Sequence, residues 1–341
     1  MDRYARQTIF RPLGPDGQAR LGRATVTVIG CGALGTHSAE LLARAGVGAV
    51  RLIDRDVVEW SNLHRQGGFE ESHARDRAPK ADALAAWLRR INSTIRVEAH
   101  AVDFNFTNAL GLAEGSSLLV DGTDNLPVRF LLNDVSYRLG VPWIYAGAVG
   151  SAAHVQVFSG RNGPCLRCQM PELPPPGVLG TCDTEGVIGP AAAVAAGWQA
   201  ALALRVLAEG DAGPSAGVRV ILDPWNQRAR TSAVAADPQC VVCAQRRFEV
   251  LEGRFAERAT VLCGRSAVQV LPAQTSGAPF DLAAAASRLR SLGPLEEKSR
   301  FVRVESAEGF TLTLFADGRA VFDGLTDTVR ARTLYSRFVG Q

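Results

Sequence analysis

Residues 25–56 read TVTVIGCGALGTHSAELLARAGVGAVRLIDRD. Val26, Val28 and Ile29 form a short β-branched, apolar run of the kind that makes a buried parallel strand. Gly30, Gly32 and Gly35 follow with the spacing G-x-G-x-x-G. Leu34, Leu41, Leu42 and Ala45 then recur at helical spacing, and a second apolar run over residues 50–53 ends on Asp54. In such a strand–turn–helix–strand unit the glycines let backbone approach a phosphate. The new helix aims its free N–H groups and positive dipole end at the same place. An acid at the tip of the second strand is placed to hold a ribose hydroxyl.

The expected fold class is α/β: a Rossmann-like, doubly wound, mostly parallel sheet with a nucleotide at its carboxyl edge. The glycine spacing alone also suits a nicotinamide-dependent oxidoreductase, or a tight turn with no ligand, so the choice rests on residues further along. At 341 residues there is room for one large domain and a small one. A composition 47% apolar and 21% charged is that of an ordinary soluble protein. The net charge of +3 is too small to argue for nucleic acid or an anionic membrane surface. The opening MDRYARQTIF lacks the apolar core of a signal peptide. Residues 187–207 are apolar but rich in Ala and Gly and hold Pro190 and Gln199, which suits a buried helix rather than a membrane span. The expected location is cytoplasmic.

After the second strand, residues 57–69 (VVEWSNLHRQGGF) are polar and too long for a simple βα turn, so they are expected to reach over the nucleotide. Pro79 starts a helix in which Leu84, Trp87, Leu88 and Ile91 share a face. Strands are expected over 96–102 and 117–120, the latter ending on Asp121, with a helix over 127–139 and a strand over 143–146. Residues 153–158 alternate and suit an antiparallel strand. A proline- and glycine-rich crossover over 164–186 precedes the long helix, followed by strands over 218–222 and 228–233. The first domain is expected over 1–245, with 246–255 a charged connector. Residues 246–341 then make a small α+β domain whose role the sequence leaves open. It shows a strand-like run over 261–271 that contains Cys263, a helix over 281–292 and a strand over 301–305. A hairpin follows over 310–324 with Asp317-Gly318 at its turn, then a helix over 327–338.

Four of the seven cysteines form two C-x-x-C pairs, Cys165/Cys168 and Cys240/Cys243. In a reducing compartment such pairs read as metal ligands, and four thiolates suit a closed tetrahedral zinc site with a structural role. Asp124 is the candidate magnesium ligand, three residues after Asp121, which reads as ending its strand and positioning backbone or metal-bound water; the other reading of Asp124 is a helix N-cap. Lys80 lies in the first turn of its helix, where a cation gains nothing from the dipole, so a phosphate is its natural partner. Arg65 supplies a second cation with fork geometry, and Asn62 and Gln66 offer amide contacts. Cys182 stands apart in the crossover, three residues before Glu185, and reads either as a nucleophile or as a passive thiol. The histidines His37, His64, His73, His100 and His154 show no ligand or triad spacing.

Taken in order, Arg3-Tyr4-x-Arg6-Gln7, the glycine turn, Asp54-x-Asp56, Ser61-Asn62-Leu63-x-Arg65-Gln66, Pro79-Lys80, Asp121-x-x-Asp124-Asn125-x-x-x-Arg129 and the two cysteine pairs form a recognisable set. This set resembles the ThiF/MoeB/HesA family, bacterial relatives of ubiquitin-activating enzymes, over residues 1 to about 245. The resemblance implies ATP, magnesium and structural zinc. It implies adenylation of the C-terminal Gly-Gly carboxylate of a ubiquitin-like sulfur-carrier protein of the ThiS/MoaD kind, with release of pyrophosphate, in thiamine or molybdopterin biosynthesis. It assigns the ribose to Asp54, the phosphates to Asn62, Arg65 and Lys80, and magnesium to Asp124. Asp56, Gln66, Asp121 and Asn125 fall in the same binding set. It further implies a homodimer in which Arg6 reaches the partner's site, and places Cys182 at the family's crossover-loop cysteine. A nicotinamide-dependent oxidoreductase and a non-catalytic scaffold for a ubiquitin-like protein are the competing expectations.

Overall fold

Eight strands of the first unit make one sheet: β1 (Thr25–Ile29), β2 (Ala49–Ile53), β3 (Arg96–His100), β4 (Leu118–Asp121), β5 (Trp143–Val149), β6 (Ala152–Phe158), β7 (Val218–Asp223) and β8 (Arg228–Ala233). The computed structural model describes residues 3–174, 180, 182–254, 259–262, 266–272 and 280–339. The spatial order is β3-β2-β1-β4-β5-β6-β7-β8. Strands β1 to β5 pair in parallel and β6 to β8 continue antiparallel, as the alternation over 153–158 anticipates. The chain order reverses between β1 and β4, so the loops leaving these two strands open a crevice at their carboxyl ends. Doubly wound sheets bind ligands at this point.

The parallel strands bury both faces, which is why they read as nearly continuous apolar runs. Val26, Val28, Val50, Leu52, Leu118 and Val120 face one core, with Leu42 of helix Ala33–Ala45 and Leu84 and Leu88 of helix Lys80–Ile91. Ile29, Ile53 and Leu119 face the other, with Phe130 and Val135 of helix Leu126–Leu139. The apolar run near residue 190 is helix Gly189–Glu209, whose length and composition alone would let it cross a membrane. Here Ala192, Ala195, Ala196 and Ala203 lie in the first core, their small side chains letting the helix sit close to the sheet.

Several boundaries differ from the sequence reading. The strand expected over 96–102 stops at His100, and Gly14–Arg23 is a helix with Pro15 in its first turn. Within the crossover, Leu166–Gln169 and Cys182–Glu185 are helical turns, while 175–179 and 181 lie outside the described residues. The expected connector after 245 is docked instead. Val250 is buried, and the N–H groups of Val250 and Leu251 donate to Asp134 Oδ2 at 2.9 and 3.3 Å. The contact division accordingly falls later than 245, between units Met1–Phe255 and Ala256–Gln341.

Burial pushes the Asp134 carboxyl up to about 6, against the opposing pull of those N–H donors and of Arg167. The folded state therefore holds a proton that the unfolded chain releases. The stability this group adds is present at low pH and is lost as pH rises through about 6. Between pH 4 and 7 the gap in stability between wild type and Asp134→Asn should shift by up to about 3 kcal/mol in favour of the variant. Paired thermal melts across that range check it, and a constant gap contradicts it.

The second unit is an antiparallel sheet. Its strands are β9 (Ala259–Leu262), β10 (Ala267–Val270), β11 (Leu295–Glu297), β12 (Phe301–Glu305), β13 (Thr311–Phe315) and β14 (Ala320–Asp323), in the order β11-β12-β13-β14-β10-β9. The single run expected over 261–271 is two paired strands, and Cys263 lies outside the described residues. The three-residue β11 has no sequence signal of its own. Gly318 takes φ +83° in the expected Asp317-Gly318 turn. Helices Leu282–Leu289 and Thr328–Phe338 are capped by Asp281 and Asp327, and Leu289, Leu334 and Phe338 pack with Val268, Leu312 and Phe322.

Candidate active site and metal centre

The glycine turn after β1 is shaped by backbone packing on the loop after β4. Gly30 has φ +89°, and a Cβ there would lie 2.7 Å from the Gly122 carbonyl. A Cβ on Gly35 would lie 1.8 Å from Gly30 O, and one on Gly122 2.3 Å from the same oxygen. These three glycines are demanded by the protein itself. Gly32 differs: it precedes helix Ala33–Ala45, and a Cβ on it would meet only Gly122 O, at 3.8 Å. Its missing side chain leaves open space over the helix N-terminus, the cradle that a phosphate requires. Gly35→Ala should cost about 3 kcal/mol of stability through overpacking. Gly32→Ala should keep the melting temperature while weakening nucleotide binding about tenfold, the size of one lost hydrogen bond. Melting curves beside nucleotide titrations separate the two.

Asp54 at the tip of β2 fixes this turn. Cys31 N donates to its Oδ2 at 2.6 Å and Asp56 N to its Oδ1 at 2.7 Å. Burial pushes the Asp54 carboxyl up, and Lys80 opposes that shift. The loop after Asp54 folds back, with Val57 bridged to Pro79 and Lys80 N donating to Asp56 O at 2.9 Å. Lys80 is thereby only 8% exposed, with Nζ 3.7 Å from Asp56 Oδ2. Burial pulls its ammonium down, but Asp56, Asp54, Asp124 and Glu59 outweigh it and hold Lys80 above the ordinary lysine range. It is a fixed cation in the crevice.

Residues 57–69 are tied to the start of helix Lys80–Ile91 by the Val57–Pro79 bridge. Asn62 is buried and its Oδ1 accepts from Glu59 N at 3.0 Å, closing the turn Trp60–Asn62. Gln66 is buried too, and among the described residues nothing donates to its Oε1. A buried orphan acceptor at this place is a mark of a missing polar partner. Arg65 folds onto its own loop, with Nη1 2.6 Å from Ser61 O and 2.8 Å from His64 Nε2. Gly67 N donates to Thr36 Oγ1 at 3.1 Å, tying this loop to the glycine-turn helix.

Burial sorts the two aspartates after β4. Asp121 is 0% exposed; its Oδ2 accepts from Arg129 Nε at 2.8 Å and its Oδ1 from Thr123 N and Oγ1 at 2.9 and 2.7 Å. With its oxygens so engaged it positions the loop. Arg129 Nη2 also donates to Thr123 O and Ala146 O at 2.6 and 2.8 Å, clamping the loop to β5. Asp124 is exposed and, among the described residues, accepts no hydrogen bond, which leaves its oxygens available to a hard cation. The helix N-cap is Asn125, whose Oδ1 accepts from Val128 N at 3.3 Å. The cap reading of Asp124 is thus replaced, and the Asn125 amide oxygen serves the helix rather than a ligand.

Cys182 Sγ donates to Ala148 O at 3.2 Å, which puts the thiol beside the carboxyl end of β5, on the edge that carries the crevice. Arg6 lies in the helical turn Ala5–Thr8, exposed, and among the described residues makes no hydrogen bond or ion pair. Ile9 and Phe10 beside it are 69% and 64% exposed. A cavity of about 670 Å³ exists elsewhere, at the amino ends of β1, β4 and β5 near Arg20, Ser117 and Pro142. None of the expected site residues lines it.

The four paired cysteines converge, their sulfurs all within 4.8 Å of one another. Cys165 Sγ lies 3.4 Å from Cys240 Sγ, and Cys168 Sγ 3.4 Å from Cys243 Sγ. The donors match a tetrahedral zinc with bonds of about 2.3 Å, and four protein ligands leave no position for water. Burial and the neighbouring sulfurs push Cys165 well up, and burial with the thiols of Cys168 and Cys240 pushes Cys243 up to about 12. A bound dication is what would displace those protons. Asn133 Oδ1 accepts from Leu166 N at 2.9 Å, anchoring the first pair to helix Leu126–Leu139.

Residues 4–242 match the ThiF family. The chain is 38% identical to the sulfur carrier protein ThiS adenylyltransferase of Bacillus subtilis (strain 168) over 340 residues, 99% of each chain. It is 40% identical over 248 residues to a sulfur carrier protein adenylyltransferase of Thermus thermophilus, covering 71% of this chain and 90% of the relative. Among solved structures, Escherichia coli MccB superposes with a TM-score of 0.62 at 24% identity over 72% of this chain and 73% of that one, a likeness of fold. The ordered motifs, the crevice at the switch point and these likenesses agree: the chain belongs to the ThiF family.

Proposed function

We propose that this protein adenylates the C-terminal Gly-Gly carboxylate of a ubiquitin-like sulfur-carrier protein, consuming ATP and releasing pyrophosphate. The observation that carries the reading is Lys80, a buried cation among Asp54, Asp56 and Asp124, together with the open space over Gly32 at the helix N-terminus. The carrier's carboxylate oxygen attacks the α-phosphorus, a bond to the pyrophosphate oxygen breaks, and a mixed anhydride with AMP forms. The nucleophile is already ionised, so no general base is needed. Catalysis is then positioning plus charge stabilisation by Lys80, Arg65 and the helix N-terminus. Asp54 is placed for the ribose, and Asn62 and Gln66 for phosphate oxygens.

Asp54, Asp56, Asp124 and Glu59 all act on Lys80, so a bare triphosphate would meet negative charge here. Asp124 would hold magnesium, which would supply the neutralising charge. Nucleotide binding itself should therefore require the dication. Arg6 acts from a second copy of the chain in a homodimer, the exposed Ile9 and Phe10 beside it supporting an interface. Cys182, whose thiol lies beside the carboxyl end of β5, would meet the activated carrier terminus. The full-length likeness to a ThiS adenylyltransferase favours a thiamine-pathway carrier over a molybdopterin one, and paired thiols kept ready for zinc suit the cytoplasm. Exchange of labelled pyrophosphate into ATP tests the reading. It should appear only with a carrier bearing a free Gly-Gly terminus and vanish when the last glycine is removed. No exchange with any of several such carriers contradicts it.

A further inference from the structure

Helix Gly189–Glu209 carries one amide in an alanine-rich, buried stretch, Gln199, which is 0% exposed. A buried amide persists only when its hydrogen bonds are made, and this one makes three. Its Nε2 donates to Asp121 O and to Ile144 O, both at 2.8 Å, and its Oε1 accepts from Ser38 Oγ at 2.6 Å. Strands β4 and β5 pair only at Leu119↔Trp143 and Val120↔Ile144. Their ladder stops one residue before the turn into Asp124. Gln199 bridges the two carbonyls at that opening, and through Ser38 it reaches the helix that follows the glycine turn.

We infer that Gln199 is a positioning residue that sets the spacing between the cation-binding loop at Asp124 and the phosphate-binding end of helix Ala33–Ala45. Asp121 is then held from two sides, its side chain by Arg129 and its carbonyl by Gln199, so the three residues to Asp124 start from a fixed point. An apolar residue of the same volume would fill the core equally well but would let β4, β5 and the glycine-turn helix settle independently. The inference rests on Asp124 being the cation ligand of the proposed reaction.

The test compares wild type, Gln199→Met and Ser38→Ala. Binding of Mn²⁺ with ATP is followed by electron paramagnetic resonance, beside melting curves and carrier-dependent pyrophosphate exchange. Gln199→Met should weaken cation–nucleotide binding and raise the magnesium needed for half-maximal exchange by about tenfold, one lost charge-positioning contact. Ser38→Ala should move both in the same direction by less. If both variants fold and bind Mn²⁺ with ATP as tightly as wild type, with only the melting temperature lowered, Gln199 is merely structural and the inference is overturned. Wild type that binds Mn²⁺ with ATP at Asp124 yet never exchanges pyrophosphate overturns the proposed reaction instead, and the binding comparison still decides the role of Gln199.

Discussion

Lys80→Met should lower carrier-dependent pyrophosphate exchange by about 10²–10³-fold, the size expected when one preorganised charge at a transition state is removed. The ammonium sits at a fixed place, 8% exposed, and is kept protonated by the surrounding carboxylates. Methionine fills the same space with no charge and removes the ammonium that offsets Asp54, Asp56 and Asp124. Asp124→Ala should lose activity to a similar degree by a different route, through magnesium, with little change in stability because that carboxylate is exposed. Steady-state rates at saturating and limiting magnesium separate the two. A Lys80→Met protein that keeps a tenth or more of its rate contradicts this role.

Cys240→Ser should release the zinc and lower stability by more than about 4 kcal/mol, in the range reserved for loss of a metal. The reason lies in what the sulfurs join. Cys165 precedes and Cys168 lies within a helical turn anchored to Asn133, while Cys240 and Cys243 precede the segment docked on Asp134. Without a dication, sulfurs at distances such as 3.4 Å share no bond that holds the two pairs together. Metal content by mass spectrometry and the melting temperature report this jointly. Wild type with one zinc per chain and a zinc-free variant that melts at the same temperature contradict a structural role.

Much of this architecture was legible because its signals are local. The apolar runs of β1, β2 and β4, the glycine turn and the Asp317-Gly318 hairpin each follow from a few neighbouring residues. What stayed hidden depends on tertiary contacts. Asp121 and Asp124 differ in sequence by place alone, and the contact with Arg129 that fixes the positioning acid does not show there. Asn125 and Asp124 are equally good caps, and the choice is made by where Val128 N points. The residues after 245 are charged and read as a connector because the partner that docks them, Asp134, is over a hundred positions away. Gln199 shows as a lone polar residue in an apolar helix, a visible signal whose meaning requires the carbonyls of two strands.

The most direct measurement is a crystal structure of the protein with magnesium and a non-hydrolysable ATP analogue. The triphosphate should lie over Gly32 at the N-terminus of helix Ala33–Ala45, with Lys80 Nζ within hydrogen-bonding reach of its oxygens and the dication on Asp124. Density for the nucleotide elsewhere, or an empty crevice at saturating analogue while NADH binds there, would contradict the account.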